Sequence, residues 1–101
     1  MELVDQSSPQ KILIVVEANI LENNMAVAIR DLVRKLIQEK KRHVHLNLSQ
    51  VQYLDSASIG MLLFVAKELK GQALELHLDA VPATLKEMLA SSFVDRVIKV
   101  H

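Results

Sequence analysis

The sequence predicts an α/β domain: a mostly parallel sheet of four to five strands, with helices mainly on one face. Three observations predict it. Short β-branched or alternating segments take turns with segments of helical period along the chain, and strands that alternate with helices imply parallel pairing through right-handed crossovers. Half of the residues are hydrophobic (50%) yet only 3% are aromatic, so the core is built from Leu, Ile, Val, Ala and Met. The 101 residues suit one domain over 1–101, and a domain near this size buries roughly 60–65% of the surface its unfolded chain exposes.

The elements follow in order. Met1-Glu2-Leu3-Val4 suits a short edge strand before the polar Ser7-Ser8-Pro9. Ile12-Leu13-Ile14-Val15-Val16 is an unbroken β-branched run, which predicts a strand covered on both faces or lying in the sheet centre. Glu22-Asn23-Asn24 marks a turn or helix cap. Over residues 25–40 the period changes: Met25, Ile29, Leu32, Val33, Leu36 and Ile37 fall on one helical face, with Arg30, Asp31, Arg34, Lys35 and Gln38 opposite. Glu39-Lys40-Lys41-Arg42 places cations near the negative end of that helix.

His43-Val44-His45-Leu46-Asn47-Leu48 alternates strictly, the pattern of a strand with one buried face. A connector over 49–55 leads to a second helix over 56–70, with Gly71 as its stop. Residues 74–79 alternate as another strand. Pro82 opens a short helix to about residue 90, with Leu85, Met88 and Leu89 inward, a position where proline is tolerated. Val97-Ile98-Lys99-Val100 closes the chain as a last strand.

Composition narrows the function classes. Twelve Lys and Arg balance twelve Asp and Glu, so no global field gathers nucleic acid, and stacking aromatics are scarce. Without cysteine neither a disulfide framework nor a thiolate metal site is available. No apolar run approaches the ~20 residues that span a bilayer, and the start lacks a secretory pattern; a cytoplasmic protein without membrane insertion is expected. Two glycines accommodate neither a P-loop nor a dinucleotide fingerprint. Ser56 lacks the flanking glycines of a nucleophile elbow, so no catalysis and no cofactor are expected. His43 and His45 share a strand face that His77 can join, but no acid is spaced to complete a metal site, and none is assigned. The terminal His101 is expected to be mobile.

The informative stretch is Tyr53-Leu54-Asp55-Ser56-Ala57-Ser58-Ile59-Gly60, where a strand region hands over to an apolar helix. Function gathers beyond the carboxyl ends of parallel strands, and helix N-termini accommodate anions. A plainer role is available too, since Asp55 or Ser56 can simply cap the helix. On the helix, Ile59, Leu62, Leu63, Ala66 and Leu69 form the stripe expected to face the sheet. Ala57, Met61, Phe64 and Glu68 lie roughly opposite, with Val65 on the border. Met61 and Phe64 there exceed what a solvated face needs, which marks either a docking surface or a surface covered by a neighbouring segment.

Asn47-Leu48-Ser49, Val51, Tyr53-Leu54-Asp55-Ser56 and Ile59-Gly60 together resemble the signature of the STAS domain family. The element order from Lys11 to Val100 is similar to that family's fold as well. The resemblance implies a regulator of the anti-sigma factor antagonist type, in which the serine after the aspartate is phosphorylated by a serine protein kinase. A PP2C-like phosphatase, or a dual-function regulator, reverses the modification. Ser56 matches that serine and Asp55 the preceding acid. Ala57 replaces the family's second hydroxyl and Ser58 its glycine, so Ser58 is a second candidate for modification. The partner surface implied is Asp55, Ala57, Ser58, Met61, Phe64, Val65 and Glu68. Size and motif are similar also to free-standing SypA-type biofilm regulators of marine bacteria, and a constitutive STAS adaptor of an ABC lipid-transport complex is the alternative.

Overall fold

Apolar residues spaced two apart on strands, and three or four apart on helices, meet in one core. The computed structural model describes residues 2–101. Its strands are β1 (Glu2–Asp5), β2 (Ile12–Glu17), β3 (Ile20–Leu21), β4 (Val44–Asn47), β5 (Tyr53–Leu54), β6 (Leu76–Asp79) and β7 (Lys99–Val100). Its helices are α1 (Asn23–Glu39), α2 (Ser56–Lys70) and α3 (Ala83–Ser91), with a 3-10 turn over Val94–Arg96. Met1, expected in the first strand, lies outside the described residues.

The main sheet runs in the order β1-β2-β4-β6-β7. The β1–β2 pair is antiparallel; the β2–β4, β4–β6 and β6–β7 pairs are parallel. This is the mostly parallel α/β sheet that the alternation of elements predicts. Every second residue of the central strands points into the core: Ile12, Ile14, Val16, Val44, Leu46, Leu76 and Leu78 are all buried. They meet Ile29, Val33 and Leu36 from α1, Leu62, Val65 and Leu69 from α2, and Leu85 and Leu89 from α3.

The unbroken apolar run of β2 takes the second of its two expected settings, an interior strand paired on both edges by β1 and β4, with Leu13 and Val15 half-buried on the face away from the core. Two other expectations are corrected. The cations after α1 fall beyond its last turn; instead, the Arg42 guanidinium donates to the Pro9 carbonyl at 2.9 Å and Lys40 reaches Ser8, so they tie the β1–β2 connection. His101 is pinned rather than loose: its N–H donates to the Leu78 carbonyl at 2.8 Å, and its own carbonyl accepts from Val81.

Candidate functional site

Two miniature strands that carry no sequence pattern build the site. β3 and β5 pair in parallel, Ile20 beside Tyr53 and Leu21 beside Leu54. Each leads into a helix after one residue, Glu22 before α1 and Asp55 before α2. The pairing therefore sets the N-termini of both helices side by side, with their positive dipole ends at the same edge of the molecule.

Asp55 caps α2. Its Oδ1 accepts the Ser58 N–H at 2.8 Å, and its own N–H donates to the Leu21 carbonyl at 3.2 Å. Hydrogen bonding from Ser58 holds the carboxyl below the ordinary aspartate value, and the Asn23 amide adds in the same sense. The capping role and a place beside the candidate phosphosite thus coexist in one residue.

Ser56 is the first residue of α2 and is exposed, as is Ala57. Ser58 is not: among the described residues it is the one buried polar residue, at 0% exposure, and its hydroxyl donates to the Leu21 carbonyl at 2.8 Å. This corrects the expectation that Ser58 offers a second modifiable hydroxyl and a partner contact. Its oxygen instead fastens α2 to the end of β3, so a kinase or partner could reach it only by opening the first helical turn.

The same turn corrects the facing of α2. Ser58, Met61, Leu62, Val65 and Leu69 are buried, whereas Leu63 lies 36% exposed and Phe64 45%. The buried stripe sits about one residue earlier than the apolar spacing suggests. Met61, Leu62, Leu63, Phe64 and Val65 follow each other without a polar break, so periodicity defines no single face. Packing of α1 against α2 decides it, drawing in Met61 and Val65. Val65 therefore belongs to the interhelical seam, and Met61 is mostly drawn into it while still lining the groove between the two helices.

What remains outward is coherent. Between the first turns of α1 and α2 lies a groove of about 270 Å³, lined by Ala57, Gly60, Met61 and Phe64 on one side and by Asn23, Ala26, Val27 and Arg30 on the other. A Cβ added at Gly60 would meet nothing within 4 Å; the fold itself does not need glycine there, and its absence of a side chain keeps the groove floor open. Phe64 is held from one side by the Arg34 guanidinium, 5.4 Å from the ring centroid. Arg34 also forms a two-pronged bond to Glu68, at 3.2 and 3.1 Å, which occupies the Glu68 carboxylate within the chain. Ile20 and Tyr53, 47% and 52% exposed, extend the apolar surface on the β3–β5 side; the sequence offered no signal that places Ile20 there.

The histidines gather elsewhere, on the sheet face without helices. His45 stacks on His77 with centroids 4.3 Å apart, and His77 on His101 at 5.3 Å. Acids join them: Asp79 on β6 lies 2.9 Å from His45 Nδ1 on the neighbouring β4, a pairing the linear spacing does not reveal, and Glu75, two residues before His77, lies 3.3 Å from His77 Nε2. Among the described residues, no group of three or more His, Asp or Glu is arranged to hold a metal ion.

The family model described as Mlab, STAS domain, matches residues 6–99. The anti-sigma-factor antagonist (STAS) domain protein from Planctomyces limnophilus superposes with a TM-score of 0.83 at 20% identity, covering 97% of this chain and 87% of that one. A Thermotoga maritima protein solved by NMR gives 0.84 at 18%, covering 96% and 78%. The Bacillus cell fate determinant SpoIIAA in its phosphorylated form gives 0.68 at 16%, covering 99% and 89%. At these identities the likeness establishes a shared fold. Among the described residues, no helix is long and apolar enough to cross a membrane.

Proposed function

The chain belongs to the STAS domain family, and from that premise we propose that it is a non-enzymatic cytoplasmic regulator of the partner-switching type, acting as one domain over residues 1–101 and controlled by phosphorylation of Ser56. The observation that carries this reading is the exposed hydroxyl of Ser56 at the first position of α2. It stands beside the Asp55 carboxylate and the open groove between α1 and α2. A neighbour of the same fold is described in a phosphorylated form.

Phosphate would add about −1.5 to −2 charges at pH 7. The α2 dipole tolerates that charge at a helix start, so the fold need not open. The docking surface changes character nonetheless. An apolar edge formed by Ala57, Phe64, Ile20 and Tyr53 would acquire a dianion next to an existing carboxylate, which repels an acidic or apolar partner and leaves the domain intact. A serine protein kinase and a PP2C-like phosphatase, or one dual-function regulator, are the partners this switch requires. Incubation with a kinase of the anti-sigma type and ATP is expected to add one phosphate by intact-mass measurement, and Ser56→Ala to abolish it. A phosphate that persists in the alanine variant would refute the assignment.

A second reading is a constitutive adaptor of an ABC lipid-transport complex, favoured by the description of the matching family model. It predicts co-purification with a transporter ATPase that Ser56→Asp leaves unchanged.

A further inference from the structure

Away from α1, the opposite flank of α2 borders a second groove, of about 510 Å³, closed on its far side by the β6–β7 edge and the 3-10 turn. The volume lies within the range of about 300–1,000 Å³ typical of small-molecule sites. Leu63, Ala66, Leu74, Leu76 and Val97 line it, and Val97 is 65% exposed. Four cations stand around them, Lys67, Lys70, Arg96 and Lys99, against one carboxylate, Glu75. Glu75 is already shared by Lys99 at 4.0 Å and His77 at 3.3 Å. The chain as a whole is neutral, so this concentration of positive charge is a local property. Lysine stems can lie along apolar surface while their ammonium groups stay at the mouth.

We infer that this groove binds a small anionic amphiphile: one hydrocarbon chain ended by a carboxylate. The chain would lie on Leu63, Leu74 and Val97, and the carboxylate among Lys67, Lys70 and Arg96. Apolar side chains and cations line one groove together, which matches one short chain with one charged head; a protein partner needs about 800 Å² on each side. The inference rests on this groove alone and stands whether or not Ser56 is phosphorylated.

Decanoate below its micelle concentration, titrated into the isotope-labelled full chain, is the test. Saturable amide shifts confined to Leu63, Ala66, Leu74, Val97 and their neighbours are expected. Acetate, which lacks the chain, and decyltrimethylammonium, which reverses the charge, should not reproduce them. Lys70→Glu with Arg96→Glu should weaken binding at least about tenfold with an unchanged thermal melt; Lys67→Glu serves if that pair fails to fold. Shifts scattered over the surface, equal shifts with the cationic amphiphile, or no saturation would overturn the proposal. So would a response only to phosphatidylglycerol vesicles, or only to an acidic amphipathic peptide, with free decanoate silent; those outcomes would assign the groove to a lipid surface or to a protein.

Discussion

The two faces of the sheet come from the same strands and are stabilised differently. On the helix side, Ile12, Ile14, Val44, Leu46 and Leu78 are completely buried, and the stabilisation there is transfer of apolar surface from water together with close packing. On the other side, Leu13, Val15, His45, Asn47, His77 and Asp79 stay half-buried. Order there comes from cross-strand pairs: stacked imidazoles and the His45–Asp79 hydrogen bond at 2.9 Å. A strand of period two can therefore serve a dry layer and a wet one at once. The wet layer is the one that senses the solvent.

Truncation tests that contrast most severely. Leu46→Ala is expected to cost about 2–5 kcal/mol in urea unfolding, because β4 is central and the cavity has little room to collapse. His45→Ala, on the opposite face of the same strand, should cost no more than about 1 kcal/mol. Equal losses would break the distinction between the faces.

A smaller effect separates two serines of one helical turn. Ser58→Ala removes a buried hydroxyl from the Leu21 carbonyl, which keeps its bond from the Asp55 amide. About 1 kcal/mol of stability should be lost. Ser56→Ala should stay within about 0.5 kcal/mol by the same measurement, as befits an exposed position. A large loss at Ser56 would mean that its hydroxyl belongs to the fold.

The smallest effect is pH-dependent. Burial, and then the proximity of His45, lower the His77 pKa, opposed by the hydrogen bond that the His77 ring donates to the Glu75 carboxylate. The folded state therefore takes up a proton at His77 less readily than the unfolded chain, whose histidines titrate near about 6.5. Stability is full above that value, declines as pH falls through it, and levels once pH passes below the lowered folded value. The groups facing His77 are His43, His45, His101, Glu75, Asp79 and Lys99. His77→Gln should flatten this part of the urea-midpoint profile between neutral and mildly acidic pH, and an unchanged slope would place the titration elsewhere on the ladder.

Where one pattern dominated, the sequence was legible. The α1 face, the alternation of β4 and β6, and the extent of α2 from Ser56 to Lys70 all follow from periodicity and from the stops around it. β3 and β5 were not legible, because two residues establish no period. Their pairing is nevertheless what brings Asn23 and Ser56 together. The facing of α2 was misread by about one position, since five consecutive apolar residues satisfy several faces equally.

From the order of its patterns alone, this chain determines a mostly parallel sheet under helices and a serine at a helix start after an aspartate. Local spacing is enough for that, because each element's period is written in neighbouring residues. Only the tertiary structure decides that Ser56 faces outward while Ser58 is sealed, that Met61 and Val65 face α1, and that His45 meets Asp79 from the neighbouring strand. Those outcomes depend on contacts between residues far apart in the chain, and packing selects among faces that the sequence leaves equivalent.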